Sequence, residues 1–251
     1  MKKETLFEIL GDIDETYVKG AKEPMKKAKK WNWKVLAAIA ACLILAAAIG
    51  IPMLHNQENA LELSDASWGV TVKYIDNAPM TNTNGDLAWL TEEELFSSFD
   101  TDIFKGTITK IENIVMDFNG SKDYRAIAEI EIQEVYRGAC QENDVVSVLL
   151  PCPIADGVWV EDTETISAMK AGMTGIFMLI AYDDTSVREE NGAKLALKDI
   201  ADYGFADGSR YAFLETEDGL VFAKWAYESI ADATTLEQIE NYVLKMIADT
   251  K

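Results

Sequence analysis

The sequence predicts an α+β protein with one transmembrane helix and one extracytoplasmic, mostly antiparallel β domain that carries peripheral helices. Three observations predict this fold class. One stretch of twenty residues is uncharged, several later runs alternate as strands do, and acidic and basic residues divide unevenly around the uncharged stretch. The predicted parts are a cytoplasmic segment at residues 1–34, the membrane helix at 35–54, a tether at 55–67 and the β domain at 68–251.

The predicted membrane helix begins at Val35 and ends at Leu54, with the sequence VLAAIAACLILAAAIGIPML. A helix of this length covers roughly 30 Å, the thickness of the hydrocarbon core of a bilayer. A buried core helix is usually apolar on one stripe only, whereas this run is apolar on every side. A cleaved signal peptide is the alternative, but the segment before the run is longer than an ordinary n-region.

The charges that flank the uncharged stretch predict its orientation. Residues 1–34 contain nine lysines, whereas residues 55–69 contain neither lysine nor arginine. The positive-inside rule therefore predicts a single-pass protein of the cell membrane, with a cytoplasmic N-terminus and an extracytoplasmic C-terminal domain. Trp31 and Trp33 occupy the position expected for an interfacial aromatic belt.

The C-terminal part of the chain is strongly acidic. Residues 55–251 carry fourteen basic and thirty-seven acidic side chains, a net charge of −23. Such a surface repels nucleic acid and anionic lipid, so nucleic-acid binding is excluded as a function of this domain.

A partner-binding helix is predicted in the N-terminal segment. Leu6, Leu10, Ile13 and Tyr17 recur at steps of four, three and four residues, which places them on one helical face. The polar face is acidic and therefore unsuited to the anionic inner leaflet. A short amphipathic helix is marginal in isolation, so we expect these four residues to bind another protein. A loosely folded tail without a partner is the alternative.

Strand and helix signals follow one another through the β domain. Strands are predicted at 68–75, 103–111, 126–136, 145–150, 175–181, 211–216 and 220–225, with a bulge near Glu134 and a loop around Asn119 and Gly120. Helices are predicted at 91–99, with Thr91 and Glu94 at capping-box spacing, and from Thr234, with Glu237 three residues on. Short, mostly antiparallel strands with peripheral helices predict an OB-like barrel or a curled sheet.

The sequence contains few residues suited to catalysis or metal binding. His55 is the only histidine, so Ser-His-Asp triads, Cys-His pairs and HExxH zinc sites are excluded from the β domain. No Walker loop or GxGxxG motif occurs. We predict no enzymatic activity, no cofactor and no metal, and we expect no bridge between Cys140 and Cys152. Calcium at the acidic loops around residues 183–184 and 189–192, and a glycosidase carboxylate pair, are weaker alternatives.

The opening segment LFEILGDIDETYVKGA, followed by lysines, tryptophans and an Ala/Leu-rich span, resembles membrane-anchored anti-sigma-factor-type regulators of Gram-positive bacteria. The later strands IFKGTITKIENI, RAIAEIEIQEVYRG and DVVSVLLPCP resemble secreted OB-like domains. The resemblance implies a cytoplasmic segment that binds a sigma factor and an outer domain that senses an envelope signal. Residues 1–34 lack the histidine and paired cysteines of zinc-containing anti-sigma domains, so Leu6, Leu10, Ile13 and Tyr17 would bind without metal.

The resulting functional hypothesis is a single-pass membrane regulator or sensor. Its cytoplasmic helix binds a sigma factor or other cytosolic protein, and its outer domain binds an extracytoplasmic ligand that the sequence does not identify. The alternative hypothesis is an anchored extracytoplasmic binding or structural module without a signalling role.

Overall fold

A long β-hairpin is the largest element of the described domain. Strands β3 (Asp102–Phe118) and β4 (Ser121–Arg137) are seventeen residues each and pair antiparallel. Asn119 and Gly120 join them, both with positive φ, as type I′ turns require.

The computed structural model describes residues 59–79, 82–83, 87–155 and 159–250, all of which belong to one unit, Asn56–Lys251.

Five strands, including the two of this hairpin, close into a barrel. The order is β3, β4, β5 (Val145–Leu150), β10 (Tyr203–Gly204) and β7 (Thr174–Ala181), and β7 pairs back to the first half of β3. The β5–β10 pair is parallel, and the other four are antiparallel. Closure satisfies the edge hydrogen bonds that an open sheet would expose, and a five-stranded barrel is the architecture of OB folds.

The barrel interior is apolar because β4 alternates. Ala128, Ile130 and Ile132 are buried, whereas Glu131 and Gln133 on the opposite face are exposed. The bulge predicted near Glu134 is confirmed, since the β3–β4 register shifts between the Lys105–Glu134 pair and the Gly106–Ile132 pair. The short helix α2 (Glu164–Ser167) adds Ile166 to the same core.

A second apolar cluster lies outside the barrel. It joins α1 (Glu92–Ser97), the hairpin of β11 (Ala212–Thr216) and β12 (Gly219–Val221), and the C-terminal helix α3 (Leu236–Asp249). The predicted start of the C-terminal helix is wrong by one residue. Its N-cap is Thr235 and the reciprocal capping partner is Gln238, because the Thr235 hydroxyl accepts a hydrogen bond from the Gln238 amide and the Thr235 amide donates to the Gln238 side-chain oxygen.

A third cluster covers the far half of the long hairpin. Strand β1 (Val70–Tyr74) pairs with the second half of β3, and β8 (Val187–Glu190) pairs with β9 (Ala193–Ala196). Residues 59–67, within the predicted tether, lie against this cluster through Leu61 and Leu63. The remaining elements are β2 (Asn82–Thr83), which pairs parallel with β6 (Trp159–Val160), and two 3₁₀ turns at Leu197–Asp199 and Glu228–Ile230.

The membrane part of the predicted fold class is corrected. Within the described ranges, no helix combines the length and apolar character needed to cross a bilayer. The longest is α3, whose fourteen residues span about 21 Å, shorter than the hydrocarbon core. The structure therefore contradicts the fold class with a transmembrane helix and the single-pass membrane localisation, and it supports a mainly β domain with three helices. The stretch predicted as that helix, residues 35–54, lies outside the described residues.

Candidate functional site

A cleft between two tryptophans is the candidate functional site. Trp89 and Leu90, which precede α1, form one side, and Trp225 and Ala226, which follow β12, form the other. The cleft has a volume of about 160 Å³. Trp89 is 77% exposed and Trp225 is 50% exposed, so two large aromatic rings face solvent at one cleft, and adjacent exposed apolar side chains are typical of binding sites.

The N-cap of α1 orients the Trp89 side of the cleft. The Thr91 hydroxyl accepts a hydrogen bond from the Glu94 amide, and the Thr91 amide donates to the Glu94 carboxylate at 2.8 Å. This is the capping box that the sequence predicts, and it is confirmed. It fixes the chain direction directly after Trp89 and Leu90, so the position of this wall is determined by local structure.

The buried Arg210 connects the two sides. Its Nη1 donates to the carbonyl oxygen of Ala88 at 2.8 Å, next to Trp89, and its guanidinium carbon lies 6.0 Å from the ring centroid of Trp225. The Nε atom donates to Asp207 Oδ2 at 2.8 Å, in a pair whose side chains are only 5% and 6% exposed. One guanidinium group therefore contacts the main chain next to Trp89 and the ring of Trp225, while Asp207 neutralises its charge.

Hydrogen bonds also hold the main chain around Arg210. Asp207 Oδ1 accepts hydrogen bonds from the Ser209 and Arg210 amides. The hydroxyl of Tyr227, two residues after Trp225, donates to the Arg210 carbonyl oxygen at 2.7 Å. The segments that carry Trp89 and Trp225 thus meet on a scaffold whose polar groups are paired, which limits movement of the cleft walls.

Carboxylates line the same cleft. Glu92 accepts hydrogen bonds from the amide and hydroxyl of Ser229 and from the hydroxyl of Tyr242 on α3. Partial burial opposes ionisation of Glu92, but the hydrogen bonds from Ser229 and Tyr242 outweigh it and hold the pKa of Glu92 below its usual value. Glu228, also in the lining, is exposed. The Glu92 carboxylate is therefore ionised at neutral pH.

The lowered pKa of Glu92 makes one contribution to stability dependent on pH. Because the folded-state pKa lies below the unfolded value, this contribution is complete above the usual glutamate range, near pH 4.3, and is lost as pH falls through the folded-state pKa. We expect Glu92→Gln to lower the free energy of unfolding at neutral pH and the difference from wild type to shrink on acidification. Urea titrations at about pH 6 and about pH 3 measure this, with the exposed Glu93→Gln as control. A difference that is the same at both pH values would contradict the expectation.

A second concavity contains a cysteine. This groove of about 470 Å³ is lined by Cys140, Asp202 and Tyr203, among others. The Tyr203 hydroxyl donates to Asp102 at 2.9 Å. Burial, together with the neighbouring Asp102 carboxylate, raises the pKa of the Cys140 thiol to about 11. Since the thiolate is the nucleophilic form, this environment opposes catalysis by Cys140. Both Cys140 and Cys152 are free thiols.

Three of the four carboxylates in the acidic loops considered for calcium make contacts within the domain. Asp183 accepts hydrogen bonds from the Thr185 and Ser186 amides, and Asp184 pairs with Lys198. Glu190 accepts from the Ser121 hydroxyl and pairs with Arg188. Across the described ranges, no group of three or more His, Cys, Asp or Glu side chains is arranged to hold a metal ion.

The site residues predicted from sequence, Leu6, Leu10, Ile13 and Tyr17, lie outside the described residues, so their partner-binding role stays a prediction.

Sequence reasoning missed the cleft. The available signal was weak: Trp89 follows a turn-rich segment, and Trp225 ends the predicted strand at 220–225. Comparison with protein-family models, with curated proteins and with solved structures finds no match.

Proposed function

We propose that the chain is a binding protein and that the cleft between Trp89 and Trp225 is its ligand site. The observation that supports this most directly is the combination of exposed rings with a buried scaffold. Arg210 and Tyr227 hold the main chain on both sides of the cleft, while the rings themselves remain accessible. Tryptophan is enriched among the residues that dominate binding energy, and a preformed site loses less entropy on binding.

The size of the cleft limits the kind of group it can accept. Its volume of about 160 Å³ is close to that of an engineered cavity of about 150 Å³ that holds one benzene molecule. Sites for drug-sized ligands are about 300 Å³ or larger. The cleft therefore suits one side chain or one ring of a larger ligand, with the rest of that ligand lying across the surface. Recognition of an exposed chain of residues or sugars is the activity that fits this size.

An array experiment tests the proposal. The labelled full-length chain is applied to printed peptides of basic, neutral and acidic composition and to neutral oligosaccharides. We expect at least one class of probe to bind, and we expect Trp89→Ala and Trp225→Ala each to weaken that binding by about thirtyfold, the effect of removing one hot-spot side chain.

Trp68→Ala is the matched control for this experiment. Trp68 is 56% exposed and does not line the cleft, and its main-chain hydrogen bonds to Lys194 do not depend on its side chain. The proposal fails if no probe binds, or if the three tryptophan variants bind every probe equally.

A protein partner for the N-terminal segment is a separate proposal, supported by the apolar stripe of Leu6, Leu10, Ile13 and Tyr17. A sigma factor or another cytosolic protein is the partner class that the sequence suggests. Binding there requires no contribution from the tryptophan cleft, so the tryptophan variants leave it unchanged.

A further inference from the structure

We infer that the group bound in the cleft is the cationic side chain of an arginine or lysine in a basic peptide. This inference depends on the proposed function, because it names the ligand chemistry of the same site. It combines three features of the cleft: carboxylates in its lining, accessible indole faces, and a volume that accepts one side chain.

The charges in the cleft lining are negative. Glu92 and Glu228 both line it, and the hydrogen bonds to Glu92 keep that side chain ionised. The Glu228 carboxylate is exposed and accepts no hydrogen bond from the residues that the structure describes. Glu228 is therefore available to accept a hydrogen bond from a ligand.

Arg210 and Lys224, which contact or adjoin Trp225, do not reverse this charge. Arg210 is paired with the buried Asp207. Lys224 lies beside Trp225 in the sequence, but its ammonium group is directed onto the Phe222 ring, 5.6 Å from the centroid. The lining therefore attracts a cation and repels an anion.

Aromatic faces next to carboxylates suit organic cations. A guanidinium or ammonium group within about 6 Å of an indole ring gains cation–π energy, and tryptophan is the best partner for it. The carboxylates add charge-assisted hydrogen bonds. The apolar stem of lysine or arginine can lie along the rings while the charged head reaches Glu228. A neutral sugar would use the rings but would gain little from the charge of the lining.

The acidic surface of the domain favours the same ligand at long range. The net charge of −23 over residues 55–251 raises the local concentration of a basic peptide and its association rate at low salt. An acidic or phosphorylated peptide would be repelled by this field before it reached the tryptophans.

A pair of peptides tests the inference. The probes are a decapeptide of glycine and serine containing two arginines, and its twin with citrulline, which has nearly the same shape but no charge. Binding to the full-length chain is followed by tryptophan fluorescence and calorimetry at low ionic strength. We expect the arginine peptide to bind at least about tenfold more tightly than its twin.

The variants identify where the charge is recognised. We expect Trp225→Ala to weaken binding of the arginine peptide by the same factor of about thirty as in the array experiment, and Glu228→Gln by about threefold. Glu142→Gln is the matched control, because it removes one exposed carboxylate from a loop outside the cleft; it should change affinity by far less. Thermal unfolding of each variant establishes that the fold is retained.

Three outcomes would overturn the inference. They are equal affinities for the citrulline and arginine peptides, equal effects of Glu228→Gln and Glu142→Gln, and binding of a neutral hexasaccharide in place of the basic peptide. If a hexasaccharide such as chitohexaose binds in a Trp225-dependent manner while the arginine peptide does not, the cation inference is wrong and the proposed binding function stands. If no probe depends on either tryptophan, the proposed function itself is wrong.

Discussion

Replacing Arg210 with methionine should lower the free energy of unfolding by about 3–5 kcal/mol, the cost of leaving one partner of a buried ion pair without the other. The Asp207 carboxylate, 6% exposed, would then be buried without its cation. The Ala88 carbonyl would lose its donor, and the Trp225 ring would lose the guanidinium beneath it. Urea unfolding followed by circular dichroism measures the loss of stability.

Two variants separate the effect of burial from that of charge. Lys105→Met removes the cation of the Lys105–Glu240 pair, whose side chains are 29% and 23% exposed, and should cost less than about 1 kcal/mol. Asp207→Asn combined with Arg210→Met removes both charges but keeps an oxygen that can accept from the Ser209 and Arg210 amides, so it should be more stable than Arg210→Met alone. A cost for Arg210→Met no larger than that for Lys105→Met would show that this pair does not support the fold.

Replacing Phe104 with alanine should lower the free energy of unfolding by about 3–5 kcal/mol. Phe104 is fully buried in the barrel, with its ring centroid 6.0 Å from that of Phe177 and 6.2 Å from that of Tyr203. Its removal leaves a cavity where β3, β7 and β10 meet, and strands of a closed barrel cannot move inward independently to fill it.

Phe99→Ala is the matched control for this experiment. Phe99 is 41% exposed and keeps one edge-to-face contact with Tyr211, so its loss should cost about 1 kcal/mol. Denaturant midpoints at an unchanged m-value measure both variants. Equal losses for Phe104→Ala and Phe99→Ala would mean that the barrel interior is not the main source of stability.

Local sequence signals predicted most of the strands. The predicted strand at 145–150 has the observed bounds, and the predicted apolar strand at 175–181 is extended by one residue, Thr174. Both runs are short, strongly apolar and bounded by turn residues, which is the sequence pattern of a buried strand. The hairpin strands were predicted too short. Their outer halves contain Asn113, Lys122 and Asp123, which look like loop residues but lie in the ladder between β3 and β4.

The cleft could not be predicted because its walls are distant in sequence. Trp89 and Trp225 are brought together by Arg210, whose contacts with Ala88, Asp207 and Trp225 arise only when the chain folds. In the sequence, Arg210 is one basic residue among many acidic ones. Periodicity reports which face of an element is buried; it does not report which exposed aromatic residues from separate loops become neighbours.

The prediction of a membrane-spanning protein came from residues 35–54 alone. Composition identifies an apolar stretch, but the described helices α1, α2 and α3 are short, and α3 is amphipathic, with Tyr242 and Val243 buried and Leu244 exposed. The described domain is thus mainly β, with helices that cover apolar faces of the barrel and its hairpins.

The seventeen-residue strand β3 pairs with two different strands along one of its edges. Its first half pairs with β7 in the barrel, and its second half pairs with β1 against the third apolar cluster. Neither region can separate from its neighbour without breaking a strand that is continuous through both. Amide protons in the two halves of β3 should therefore give one common free energy of opening in hydrogen–deuterium exchange, that of opening the whole domain, so the two regions behave as a single cooperative unit.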